Sequence, residues 1–262
     1  MSKYYRASAN DLAIFEQEGY VLVKELFSHS ETKLLIQYAK NDQQVAMRAT
    51  TRSDAQGGET KLALSNDLGD DLYAAVVKSR RVADSMEVLL RDEVYHYHHK
   101  MMLKEPYVGG AWEWHQDYGY WYDYGCLYPT MASCFIAVDA CTRENGCLQV
   151  IPQSHHLGRM NHGKVGGQTG ADPERVEAVL KRLSVAYVEM HPGDALFFHG
   201  NLLHRSDQNT SANPRWSLTC CYNTRKNDPY KESRHPGYNR LDRIEDDQFL
   251  SLAEGFVDGQ GE

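Results

Sequence analysis

The sequence predicts a mainly β protein with helices: an antiparallel double-sheet jelly roll buttressed by a helical N-terminal part. Two observations predict it. From residue 94 onward, short apolar or alternating runs at 94–104, 112–118, 131–139, 147–151, 185–190, 195–199 and 216–222 are separated by turn signals such as Gly109-Gly110, Asn145-Gly146, Pro192-Gly193 and Asn213-Pro214, the texture of many short strands. Before residue 94 apolar residues recur mostly at helical spacing. With 262 residues, 42% of them hydrophobic, there is material for one substantial core. The chain therefore reads as a single domain over 1–262, with about 1–92 as helical buttress, about 93–224 as β core and 225–262 as a C-terminal tail.

Taken in order, Asn10 or Asp11 caps a short helix through Glu18 that Gly19 ends. Tyr20–Val23 is a β run. Ser30 and Glu31 open a helix carrying Leu34, Leu35 and Tyr38 that extends to about Met47. TRSDAQGGET (51–60) is a polar loop, and helical spacing resumes from about Asp70 to Leu90. Beyond residue 94 helix is expected only at about 173–182, and the charged stretch 225–247 reads as a solvated terminus in preference to a mobile segment near the entrance.

Composition excludes several functions. The formal net charge of −8 gives neither nucleic acid nor an anionic membrane a surface to bind. No run of about 18 apolar residues is present to span a bilayer, and MSKYYRASANDL lacks the apolar core of a secretory signal. The six cysteines contain no C-x-x-C pair, which points away from structural zinc and towards reduced thiols in a cytoplasmic protein, with adjacent Cys220 and Cys221 as packing residues. The expected partner is a small-molecule substrate, with self-association into a homo-oligomer left open.

The chemistry begins at WEWHQDYGYWY (112–122). On a strand, residues i and i+2 share a face, so His115 and Asp117 converge while Gln116 turns away. His204 stands 89 residues further on, in GDALFFHGNLLHRS. Two His and one carboxylate on one face leave open positions on a metal ion, the arrangement of non-haem Fe(II) oxygenases. Other histidines compete: His96 and His98 share a strand face, His199 lies five residues before His204, and His155-His156 follow a turn at the pocket rim or surface. Arg215, eleven residues after His204 at the start of the next apolar run, favours His204. A guanidinium there faces the metal pocket and suits a carboxylate, with the Ser206 hydroxyl as a further donor.

WHQDYGYW, ENGCLQVIPQSH and PGDALFFHGNLLHRSDQNTSANPRWS, in that order, together resemble the phytanoyl-CoA dioxygenase family, as does the opening DLAIFEQEGYVLVKELFS; the likeness runs from about residue 12 to about 224. The resemblance implies an Fe(II)/2-oxoglutarate-dependent oxygenase on a double-stranded β-helix, of the ectoine and aminoalkylphosphonate hydroxylase type. Carried over by position, it implies iron ligation by His115, Asp117 and His204, with Arg215 on the distal carboxylate of 2-oxoglutarate and Ser206 assisting. His98 and Lys104 align with co-substrate-contacting and basic positions of relatives, and Lys61 aligns with an upstream lysine. Where the family reads PGSH this chain has Gln153 in PQSH (152–155). Related halogenases have a small residue in place of the carboxylate, so Asp117 implies hydroxylation.

The implied reaction takes O2 and 2-oxoglutarate to succinate and CO2 while hydroxylating a small polar metabolite. Trp114, Tyr118, Tyr120 and Trp121, around the ligands, are divided between core and a substrate cage. An aromatic cage suits an ammonium, so the expected substrate is a zwitterion or an aminoalkylphosphonate. Two other classes fit the same residues: a non-catalytic jelly-roll metal-binding module, and a Zn2+ hydrolase with the same ligands, which Arg215 disfavours.

Overall fold

The computed structural model describes residues 4–260. The chain opens with α1 (Ala9–Glu18), closed by Gly19 in the left-handed conformation, and the short strand β1 (Tyr20–Val23). Ser8, rather than Asn10 or Asp11, caps α1 and forms a reciprocal capping box with Asp11. Helix α2 (His29–Asn41) likewise begins two residues earlier than expected, on a capping box between Ser28 and Glu31. It stops at Asp42, whose carboxylate accepts from the N–H groups of Gln44 and Val45 and so starts α3 (Gln43–Arg48).

The expected polar loop at 51–60 is instead a hairpin, β2 (Thr50–Ser53) and β3 (Glu59–Ser65). Its backbone groups are satisfied by pairing β3 along β4 (Val94–Lys104), a tertiary partner that outweighs weak local preference. Between them, the predicted helix at 70–90 divides at Ser79 into α4 (Leu72–Lys78) and α5 (Arg80–Leu90).

The β core continues with β5 (Trp112–His115), which ends before the expected residue 118 because the chain turns into α6 (Asp117–Trp121). Then come β6 (Met131–Ala137), β7 (Leu148–Val150) and a hairpin not anticipated, β8 (His162–Val165) and β9 (Gln168–Ala171). Helix α7 (Pro173–Leu180) precedes β10 (Ala186–Val188), β11 (Ala195–His199), β12 (His204–Ser206) and β13 (Arg215–Thr224).

Two antiparallel sheets form the jelly roll. The larger runs β1-β11-β6-β13-β4-β3-β2, the smaller β10-β7-β12-β5. Strand alternation gives the large sheet two faces. On one, Met101, Leu103, Cys134, Ile136, Leu218 and Cys220 join the apolar core formed with the helices. The other carries His98, Lys100 and Lys104, with Met102 among them, on β4, set against Cys221, Thr219, Ser217 and Arg215 on β13.

The C-terminal stretch is no solvated tail. It crosses back over the helical part and ends in α8 (Phe249–Gly259), with Leu241, Phe249, Ala253 and Val257 in the main core. Asp246 is buried and binds Arg81, which also grips Glu31 through two contacts of 2.9 Å. The charge-dense stretch is thus compatible with burial because its buried carboxylate, Asp246, has an opposite partner in Arg81. All six cysteines are free and buried, and among the described residues no helix is long and apolar enough to cross a membrane.

Candidate active site

The two sheets enclose a cleft lined by residues of both, among them Lys100, Trp112, His115, Phe135, His204, Ser206, Arg215 and Thr219. His115 at the end of β5 lies directly across from His204 at the start of β12, with ring centroids 4.0 Å apart. Asp117 reaches the same point from α6: its Oδ1 is 3.9 Å from His115 Nε2 and 4.0 Å from His204 Nε2. Among the described residues this is the one group of three or more His, Cys, Asp or Glu side chains whose donor atoms gather closely enough, within 4.8 Å, to hold a metal ion. Asp117 converges with His115 through the turn into α6 rather than through strand alternation.

Each side chain of the cluster is oriented from behind. His115 Nδ1 lies 2.8 Å from the Glu113 carbonyl and His204 Nδ1 3.0 Å from the Leu202 carbonyl. A carbonyl only accepts, so both Nδ1 atoms carry the proton and both Nε2 lone pairs face the shared point. Ser133 donates to Asp117 Oδ2 at 2.9 Å, leaving Oδ1 for the cluster. Burial opposes the Asp117 charge, but Lys100, the two imidazoles and the Ser133 hydroxyl outweigh it and hold the carboxyl below its usual range. Burial, reinforced by the neighbouring imidazole, pushes His115 well down, and burial also lowers His204. The set is a carboxylate with two neutral imidazoles, the protonation states a divalent cation requires.

Gln116 faces away and braces the turn. Its side chain donates to the Gly158 and Asn201 carbonyls and accepts from Met160 N–H, while its own N–H donates to His162 Nε2 at 3.0 Å. That imidazole packs where a Cβ on residue 119 would stand, so Gly119 is the only residue type that admits it.

Arg215 is fully buried, and its Nε and Nη2 atoms have no partner; only Nη1 is engaged, with Ser217 at 3.3 Å. An unpaired buried guanidinium is costly, and its free donors fit a carboxylate. The Thr219 hydroxyl, two residue pairs along β13 on the same face, is also buried without a partner. Ser206 lines the cleft and accepts from Lys104 Nζ at 2.9 Å. Lys104 is thereby committed to Ser206 and the Asp207 carbonyl and acts behind the cleft wall.

Other expected residues are placed differently. His98 pairs opposite Cys221, whereas Arg215 pairs opposite Lys104, so the two lie towards opposite ends of the same strand pair. Lys61 is exposed on β3 and stands away from the cleft. Tyr120 stands 5.8 Å from the His115 ring and Trp121 5.9 Å from His98. Tyr118 is held in an apolar cluster by its hydroxyl bond to the Cys126 carbonyl. Trp114 lies on the opposite strand face from His115, packed with Ile151, Met160 and Leu203. His199 and His155 pack against each other near Phe15, outside the triad. Trp112, one of the aromatics expected around the cluster, lines the cleft. Sequence reasoning missed Lys100 and Thr219, and counting in twos from Arg215 along β13, and from Lys104 along β4, finds both.

Fold and triad define a class: an iron- and 2-oxoglutarate-dependent dioxygenase on a double-stranded β-helix. The chain belongs to the phytanoyl-CoA dioxygenase family, whose model matches residues 15–217. It is 31% identical over 183 residues to L-proline trans-4-hydroxylase of Streptomyces griseoviridis, covering 64% of this chain and 68% of that protein. It is 30% identical over 217 residues to methylphosphonate hydroxylase of Gimesia maris, covering 80% and 78%. Its fold matches the crystal structure of EctD from S. alaskensis with 2-oxoglutarate and 5-hydroxyectoine at a TM-score of 0.78 and 24% identity, over 94% of this chain and 90% of that one.

Proposed function

We propose that this dioxygenase hydroxylates a small polar metabolite, a zwitterion or a phosphonate, with His115, Asp117 and His204 as iron ligands and Arg215 as the anchor of 2-oxoglutarate. The observation that carries this reading is the pairing, in one cleft, of the His-Asp-His cluster with a buried guanidinium whose Nε and Nη2 donors are unused. The donor set fits Fe(II): two imidazoles and one carboxylate leave half of an octahedral shell for exogenous ligands. The names of the relatives, a proline hydroxylase and a methylphosphonate hydroxylase, support the substrate class.

When bound, iron and 2-oxoglutarate supply the oxidative step, in which O2 and 2-oxoglutarate become succinate and CO2 and a substrate C–H becomes C–OH. The chain's own residues position and enclose. Arg215, with Ser206 and Thr219, receives the distal carboxylate at the far end of the cleft. The Glu113 and Leu202 carbonyls and Ser133 hold the ligands in register. Phe135, Leu148 and Phe198 line the cleft with apolar surface that excludes water from the reacting atoms.

The test is iron-dependent succinate formation. Asp117→Ala and His204→Ala are expected to abolish it, whereas Arg215→Ala raises the KM for 2-oxoglutarate about tenfold or more, given that a lost buried charge contact costs on the order of 2 kcal/mol. Full turnover by metal-free protein sinks the reading.

A further inference from the structure

Lys100 is the charged group next to the triad that the reaction as described leaves without a role. Its ammonium lines the cleft, 17% exposed, and lies 3.8 Å from Asp117 Oδ1, the oxygen turned towards the two ligand imidazoles. Metal occupancy takes that oxygen and sets a dication beside the ammonium, so Lys100 needs another anion. Fe(II), dianionic 2-oxoglutarate, Asp117, Lys100 and Arg215 together sum to one positive charge, with Lys104 behind the wall and the Arg205–Asp207 pair at the mouth outside this sum. One acid group on the substrate cancels it.

The register shows where that group enters. Arg215 faces Lys104 at one end of the β4–β13 pair, Thr219 faces Lys100 further along, and Cys221 faces His98 beyond that. Cys221 also pairs with Ser133, the residue that holds Asp117. Past the triad, opposite the 2-oxoglutarate anchor, the cleft wall therefore ends at Lys100, with His98 next on the same face of β4. His98 is buried and its Nδ1 has no partner.

The wall beyond His98 comes from outside the region that matches the family model. His235 packs 5.0 Å from the His98 ring and stacks on Tyr97 at 4.5 Å, with Tyr124 at 4.9 Å. Its segment is tied down by Tyr238 N–H to Asp228, Tyr238 hydroxyl to Glu93, and Asn66 to the Arg234 carbonyl. Arg234 Nε donates to His235 Nε2 at 3.4 Å, so the ring proton sits on Nδ1, which is buried and unpartnered. Two orphaned imidazole nitrogens thus lie buried beyond the ammonium that lines this end of the cleft, and no internal hydrogen bond explains them.

We propose that Lys100, His98 and His235 form the receptor for the substrate's acid group, a carboxylate or a phosphonate, and that the segment around His235 completes the active site. This rests on the dioxygenase reading above. The ammonium supplies the charge, the His235 Nδ1–H a directed donor, and Trp121 with Tyr97 the apolar wall around the rest of the molecule.

The experiment is a panel of probes added to iron- and 2-oxoglutarate-loaded protein, read as stimulated O2 uptake. L-Proline and ectoine form the carboxylate arm, methylphosphonate and 2-aminoethylphosphonate the phosphonate arm, and L-prolinamide and dimethyl methylphosphonate the uncharged controls. The expected result is stimulation by acids of one arm and at least tenfold weaker stimulation by the controls. Lys100→Met and His235→Phe, the latter keeping the stacking on Tyr97, should each raise the KM for the stimulating acid about tenfold or more while moving the KM for 2-oxoglutarate by less than about threefold. Equal response to acid and uncharged probes, no response to any acid, or an unchanged acid KM in the folded variants overturns the proposal. If His235→Phe does not fold, Lys100→Met and the acid-to-uncharged ratio of the unaltered protein still decide. Substrate-free, iron-dependent succinate formation by the unaltered protein reports separately on the dioxygenase reading: its absence fails that reading, its presence with no acid preference fails the receptor alone.

Discussion

At the scale of single residues, Gln153 shows how a departure from a family pattern is absorbed. It holds φ 69°, a left-handed conformation that costs a side-chain-bearing residue about 1 kcal/mol. Its N–H donates to the Glu18 carbonyl at 2.9 Å, which keeps the turn closed, and the next residue, Ser154, still reaches Leu203 N–H at 2.9 Å, at the start of the strand that carries His204. Gln153 is exposed, so Gln153→Gly removes strain without removing packing. The expected outcome is a gain of about 1 kcal/mol, or roughly 2–4 °C in Tm, by thermal melting; a fall in Tm contradicts the strain argument. The triad was legible from sequence because ligand types at i and i+2, with a distal His and Arg, form a pattern of chemistry rather than of shape. Lys100 and Thr219 were not, because their importance lies in facing a cleft that two sheets must first enclose.

At the scale of elements, the C-terminal stretch carries the largest revision. Its charges suggested solvent, yet Asp246 anchors it inside the helical part. Arg81 binds Asp246 at 2.8 Å and Glu31 at 2.9 Å, and Arg6 approaches Asp246 at 2.7 Å. Removing one member of a buried ionic set leaves a partner charge uncompensated, at a cost of about 3–5 kcal/mol. Asp246→Ala should therefore lower stability by that order in denaturant unfolding, and limited proteolysis should cut first between α8 and β13. A loss below about 1 kcal/mol would show that α8 is held by its apolar face alone. Hydrophobic periodicity cannot reveal such an anchor, since the signal is a pairing across 165 residues. The hairpins β2–β3 and β8–β9 escaped for the related reason that their strands are largely exposed and carry little alternation.

At the scale of the whole molecule, buried neutral histidines set the acid limit. Burial lowers His99 to about 4, lowers His199 to about 3 with help from His155 and His156, and lowers His235 to about 4 with help from Arg234 and Lys100. The unfolded chain titrates these groups near 6.5, so it binds more protons than the folded one below that pH. Their contribution is complete above about pH 6.5 and is lost as the pH falls towards 4, by up to about 1.4 kcal/mol per pH unit for each group. Melting temperatures at constant ionic strength should be flat near neutrality and drop steeply below about pH 6. His99→Asn should flatten that slope; an unchanged slope would assign the acid limit to other groups.

The sequence by itself determined the class of this protein: the β-rich core behind a helical part, the residue types that cluster in the cleft, and the order of His115, Asp117, His204 and Arg215. These are local properties, carried by side-chain chemistry, strand periodicity and turn residues. Only the tertiary structure decided which donors remain unsatisfied and what surrounds them. Arg215, Thr219, His98 and His235 become orphaned only when strands from distant parts of the chain, and a segment after the last of them, close over the cleft and remove water as an alternative partner.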